Sequence, residues 1–163
     1  ELGQGLYTVQ MQLIAEELGV IGVHLELTVL QGSVLWADYA SGGIEQRGEF
    51  NIDFYDDGYS GLDPTDFIYQ YYASTSAEPD NGWNIGRWKN EEFDALLAEA
   101  YTLDEAQRQV LFCQMADILD SELPQILLFS TINAEAYSTR LSGVQANING
   151  VVTWNVADWT LVP

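Results

Sequence analysis

Residues 90–130 read NEEFDALLAEAYTLDEAQRQVLFCQMADILDSELPQILLFS, and their patterning decides the class of fold. Asn90 followed by Glu91 and Glu92 is a helix start, with a capping side chain and acids on the positive end of the helix dipole. Phe93, Leu96, Leu97, Ala100 and Tyr101 then fall on one side of that helix. Thr102-Leu103-Asp104-Glu105 has capping-box spacing and opens a longer helix through Leu111, Met115, Ile118 and Leu119, which Pro124 stops. Residues 125–130 form a short apolar run, the pattern of a strand buried on both faces at the centre of an α/β sheet.

Working outward toward the N-terminus, 66–72 reads as a short helix, preceded by turn-rich 56–58 and 61–64. Residues 50–55 alternate as a strand, Ser41-Gly42-Gly43 breaks a short helix at 35–40, and 23–29 alternates again, with Val23, Leu25, Leu27 and Val29 on one face. Ahead of it, Thr8 caps a helix with the stripe Met11, Ile14, Ala15 and Leu18, and Gly19 is its expected C-terminal residue. The polar stretch 73–89, with Pro79, Asn81-Gly82 and two tryptophans, reads as a long surface loop. Beyond 130, the segments 135–140, 151–154 and 159–162 are further strand candidates.

The 163 residues suit one domain, and a hydrophobic fraction of 47% supplies a core. Asp plus Glu number 25 against 5 Lys plus Arg, a net charge of −20. Five scattered cations cannot supply the basic cluster on which nucleic-acid or anionic-membrane binding rests, so neither is an expected partner. No apolar run approaches the roughly 20 residues of a membrane helix. One cysteine, Cys113, excludes an internal disulfide and reads as a buried, inert thiol beside the apolar stripe of its helix. With a single histidine, His24, there is no Cys/His set for structural zinc, and no cofactor is expected. The chain starts at Glu1 with no signal-like segment, and a fragment of something longer is the preferred reading.

Several stretches together resemble one family: the helix and strand over 14–30, Trp-Ala-Asp-Tyr at 36–39, Phe-Asn-Ile-Asp at 50–53 leading to Asp63-Pro64, Trp-Lys-Asn-Glu-Glu-Phe-Asp-Ala-Leu-Leu at 88–97, Leu-Pro-Gln-Ile-Leu-Leu-Phe at 123–129 and Arg-Leu-Ser-Gly-Val at 140–144. In this order they resemble the C-terminal part of a family 5 extracellular solute-binding protein, the receptor class of ABC importers for oligopeptides, dipeptides, nickel chelates and some oligosaccharides. The resemblance implies an α/β chain, one lobe of a type II periplasmic-binding-protein-like fold, with a mixed sheet flanked by helices. It also implies that 1–163 is a single lobe of a longer, two-lobe protein. In the family the last segment crosses back to the other lobe, which leaves open whether 141–163 folds here or packs on the missing lobe. The implied setting is extracytoplasmic, periplasmic or as a cell-surface lipoprotein, with the importer's permease subunits as partners of the full-length form.

Candidate ligand-binding residues fall in three places. The loop carrying Asp56, Asp57, Tyr59 and Ser60 follows a strand, where open α/β sheets bind ligands. In peptide-binding members that loop carries a tryptophan and an aspartate that pairs with the peptide amino group, and here Asp57 and Ser60 stand at those places. Trp83, Asn84, Arg87 and Trp88 form the second set, with indoles that can stack on a ligand and a guanidinium that can meet a carboxylate in two bonds. Trp36, on a short helix that faces the cleft in many relatives, is the third. Trp154 and Trp159 are expected to be buried or at the missing lobe's interface.

Asp53, Asp56, Asp57, Asp63 and Asp66 suggest calcium, but a calcium loop starting at Asp53 would need an oxygen ligand at Tyr55 and a glutamate at Pro64. No metal site is therefore expected. The lone His24 stands mid-strand with no nucleophile motif around it, and no pattern selects a catalytic carboxylate pair, so the chain is not expected to be an enzyme. Solute capture by closure of two lobes is the expected function, with an oligopeptide or an oligosaccharide as ligand. The acidic and aromatic set suits a neutral polyhydroxylated molecule slightly better than a peptide. The alternative is a free-standing carbohydrate-binding or interaction module without a transporter.

Overall fold

The structure, a computed structural model, describes residues 2–55, 58, 63–130, 134–147 and 151–162, with the side chains of 2–7 left aside. The chain divides into two compact units, 1–57 with 70–91 and 58–69 with 92–163.

In the first unit, α1 spans Leu2–Val20. It begins ahead of Thr8, which lies inside the helix instead of capping it. The expected stripe is correct: Met11, Ile14, Ala15 and Leu18 are all partly buried. Its end differs by a few residues from the sequence reading. Gly22, at φ +86°, takes the left-handed position, with Val23 N–H donating to Leu18 O at 3.0 Å and Gly22 N–H to Gly19 O at 3.1 Å. This is a Schellman closure, which needs a residue without Cβ at Gly22 and not at Gly19. Two one-turn helices follow, α2 at Gly32–Leu35 and α3 at Ile44–Arg47, where a helix over 35–40 was expected.

The polar stretch 73–89, expected as a surface loop, is exposed at Thr75, over 78–81 and at Gly86 and Lys89, but turns the rest of its length inward. It contains a 3-10 turn at Ser74–Ala77, and Ala73, Ser76, Ala77, Asn84 and Ile85 are all buried, with Tyr71 beside them in the same unit. Polar side chains turned inward satisfy its backbone, which is what lets a loop-like composition form a core. Gly82 is required there: a Cβ at this position would lie 2.6 Å from Ser76 Cβ and 3.0 Å from Gln70 O.

In the second unit, α4 (Thr65–Tyr72), whose first turn lies here, is started by Asp63-Pro64. The Asp63 carboxylate accepts the Thr65 N–H at 2.9 Å, and proline follows at the first helical position, where its missing N–H costs nothing. The pair α5 (Glu91–Glu99) and α6 (Glu105–Glu122) lies where the periodicity placed it. Phe93, Leu97 and Ala100, on one stripe, are buried, as are Leu111 and Met115 one turn apart on α6. The α6 cap is Asp104, which accepts the Gln107 N–H at 3.0 Å, and not Thr102. Leu123, in the left-handed conformation just before Pro124, ends the helix. Cys113, two positions from Leu111 and from Met115, faces away from the buried stripe and is exposed, contrary to the buried thiol expected.

The expected mixed sheet is not formed among the described residues, which are helix-rich. One two-stranded antiparallel ladder is present, β1 (Leu141–Ser142) with β2 (Thr160–Leu161), which matches part of the candidate at 159–162. Residues 23–29, 50–55 and 125–130 run without a ladder. Alternation specifies an amphipathic extended segment, but a strand also needs a neighbour to receive its N–H and C=O groups. The tail closes on itself: Asn155 Nδ2 donates to Gly143 O at 2.7 Å, and Trp159 Nε1 donates to Asn155 Oδ1 at 2.9 Å. Trp154 donates its indole N–H to Gln145 O and stays half exposed, while Trp159 is partly buried.

Candidate functional site

The short helix α3 organises the first unit. Gly43 precedes it and Gly48, in the left-handed region, ends it, so four residues are held in one turn. Gln46 reaches into the 73–89 stretch, its Oε1 accepting the Asp80 N–H at 2.7 Å and its Nε2 donating to Gly82 O at 3.3 Å. Its own carbonyl accepts Arg87 Nη2, while Arg87 Nη1 donates to Ala77 O. Arg87 thus fastens the 3-10 turn to α3, from a backbone with φ +58°.

Asn84 closes the loop from inside. Its Nδ2 donates to Ala73 O at 3.0 Å and to Trp88 O at 2.8 Å, and its Oδ1 accepts the Trp88 N–H at 3.2 Å. Trp83 is pinned by its main-chain N–H to Gln70 O at 2.8 Å, with a partly buried ring. Trp88 meets Tyr72 edge-to-face, with centroids 6.4 Å apart, and burial raises the Tyr72 hydroxyl above its ordinary pKa. At the rim, Lys89 and Glu78 pair at 2.7 Å, and the ammonium holds the Glu78 carboxyl below its usual range.

Trp36 is 54% exposed, with its ring against Gly32. Its indole also interacts with Glu45, an acid the sequence did not single out and the most deeply buried charged-type side chain described. Burial, then the hydrogen bond and charge of Asp53, push the Glu45 carboxyl up to about 8, and the Trp36 indole acts the other way. Glu45 and Gln46 were missed because nothing local marks them among 25 acids and a polar background. The glycines on either side of Ile44–Arg47 were the available signal for a tightly constrained turn.

The structure therefore ties Trp36 and Arg87 to the neighbouring residues Glu45 and Gln46 of one helix, while Asn84 bonds to Trp88 within the same loop. Arg87 Nη1 and Nη2 and the Asn84 amide are engaged by main-chain groups, which leaves the indoles as the surfaces of this set best suited to apolar contact. Asp56, Asp57, Tyr59 and Ser60 lie outside the described residues. In the second unit an open groove along α6 is lined by Glu105, Arg108, Gln109, Phe112, Cys113 and Ala116, none of them a sequence candidate for binding. Among the described residues no three His, Cys, Asp or Glu side chains gather so as to hold a metal ion, and no helix is long and apolar enough to cross a membrane.

No protein-family model matches the chain. Two curated relatives do. The glutathione-binding protein GsiB of Pectobacterium atrosepticum is 23% identical over 151 residues, 92% of this chain and 29% of that protein. The heme-binding protein A of Haemophilus influenzae is 30% identical over 135 residues, 81% of this chain and 23% of that protein. The chain thus spans roughly a quarter of the length of these relatives. Among solved structures, NikZ from Campylobacter jejuni in complex with Ni(L-His) is similar at 26% identity, over 62% of this chain and 22% of that one, with a TM-score of 0.48. The relatives are family 5 solute-binding proteins, and the similarity to them runs over most of this chain.

Proposed function

We propose that the chain is one lobe of an extracytoplasmic solute-binding protein that captures a small molecule for an ABC importer, in partnership with the importer's permease subunits. Its homology to two binding proteins over 92% and 81% of its length carries this reading. The ligand is enclosed when this lobe and a second one close on it, and the role is binding without catalysis. The extended apolar segments 23–29 and 126–129 support a lobe that is completed by further chain: Val29, Ile126, Leu127, Leu128 and Phe129 are all exposed, as strands are when their neighbours are supplied from elsewhere.

Trp36, Trp83 and Trp88 provide the stacking surfaces, with Asp56, Asp57, Tyr59 and Ser60 as the polar set. Arg87 and Asn84 hold the loop on which two of the indoles stand. This combination favours an oligosaccharide over an oligopeptide, since ring faces stack on indoles and hydroxyls suit carboxylates. Titration calorimetry with both ligand classes tests the reading. One lobe offers only part of the enclosing surface, so the isolated chain should bind weakly, and submicromolar affinity would refute two-lobe closure. In the protein carrying both lobes, Trp83→Ala and Trp88→Ala should each weaken a sugar by about 1 kcal/mol. Unchanged sugar affinity in both variants would return the assignment to peptides.

A further inference from the structure

Helix α3 carries a buried acid that the proposed solute contacts do not use. Glu45 is 1% exposed, and its Oε1 has no hydrogen-bond partner. The same holds for buried Oδ2 of Asp53, whose other oxygen accepts the Phe54 N–H at 2.9 Å. Two ionised carboxylates are acceptors only, so neither can satisfy the other, whereas a proton on one turns it into a donor. A buried neutral acid is also far less costly than a buried uncompensated charge.

We propose that Glu45 is protonated in the folded chain and donates to Asp53, and that this acid–carboxylate pair is a pH-sensitive latch between α3 and the 49–53 segment. The latch holds while the proton is bound and loosens when it leaves. Burial and Asp53 raise the Glu45 carboxyl to about 8, and the Trp36 indole is the opposing influence. The nearby cations are directed elsewhere. Arg47 donates through Nε to Tyr39 O and lies 3.9 Å from Glu49, and Arg87 is held by the carbonyls of Ala77 and Gln46. Among the described acids of this region, Asp38 accepts from the Ser41 N–H and Asp80 from the Tyr39 N–H.

The sign follows from linkage. Folded Glu45 binds its proton more tightly than the unfolded chain does, so this contribution is complete below the ordinary value of 4.5. It declines as pH rises toward about 8 and is constant above that, where both states are ionised.

Carbon-13 NMR of the Glu45 side-chain carboxyl in the full chain tests the proposal directly. The midpoint should lie near 8, and amide exchange over 36–53 should accelerate above it beyond the intrinsic base-catalysed increase. Glu45→Gln keeps a donor for Asp53 but cannot ionise. Its melting temperature should lack the additional fall that the unmodified chain shows as pH rises from the ordinary carboxylate range to about 8. Asp53→Asn should bring the Glu45 midpoint down. A Glu45 midpoint in the ordinary carboxylate range, or parallel melting curves for Glu45→Gln and the unmodified chain, would overturn the proposal. Should Glu45→Gln fail to fold, the NMR midpoint of the unmodified chain decides alone.

Discussion

Replacing Asn84 by alanine removes the amide that closes the 73–89 stretch from inside. Three hydrogen bonds disappear at once: Nδ2 to Ala73 O, Nδ2 to Trp88 O, and the Trp88 N–H to Oδ1. Alanine supplies no replacement, and Asn84 is buried, so water does not readily take over. At about 1 kcal/mol for each group left without its partner, the loss is about 3 kcal/mol. For a chain of this length that lowers the melting temperature by roughly 6–12 °C. Asn84→Asp sharpens the test. It keeps an acceptor for the Trp88 N–H but turns a carboxylate toward two carbonyl oxygens, so it should destabilise at least as much as alanine at neutral pH. Thermal and urea unfolding, followed by tryptophan fluorescence, measure both variants. A loss below about 1 kcal/mol for Asn84→Ala, or an aspartate variant more stable than the alanine one, would show that this stretch is not held by its buried amide.

Two further outcomes are expected. The Thr65 hydroxyl and N–H, with the Arg108 guanidinium, hold the Asp63 carboxyl below its usual range. Its stabilisation is thus present above the ordinary carboxylate pKa and disappears as pH falls through the depressed native value. Asp63→Ala should cost about 0.5–2 kcal/mol at neutral pH as a lost helix cap, and chemical denaturation in strong acid should find that difference diminished. With a net charge of −20, raising NaCl from low to molar concentration should raise the melting temperature, because screening weakens self-repulsion over distances beyond about 8 Å at physiological ionic strength. A fall would show that specific ion pairs such as Arg108 with Asp63 outweigh the repulsion.

Helices were legible in the sequence because their information is local. The stripe Met11, Ile14, Ala15 and Leu18, and the pair Leu111 and Met115, are visible as periodicity and are buried or partly buried as expected. Helix ends were less legible, since several residues compete to cap: Gly22 ends α1 where Gly19 was expected, and Asp104 starts α6 where Thr102 had the better spacing. Strands depend on partners distant in sequence, so the alternation at 23–29 could be seen while its pairing could not. The 73–89 stretch misled for a different reason. Part of its polarity is directed inward, through Asn84 and Arg87, and composition does not distinguish a side chain that binds water from one that binds its own backbone. Of the candidate site, the indoles were found by residue type, whereas Glu45 acquires its character from burial beside Asp53 and Trp36, contacts no local pattern encodes.

The run 125–130 contains no charged side chain, and Leu127 within it is 85% exposed. A bare apolar segment of this kind is a template for self-association between copies, and what opposes it is the acidity of the rest of the molecule. Colloidal stability of the isolated chain is therefore delegated to residues remote from the hazard. Acidification toward the isoelectric point of about 4.1 removes that opposition while leaving the apolar run unchanged, so precipitation of the isolated chain in this range does not require unfolding.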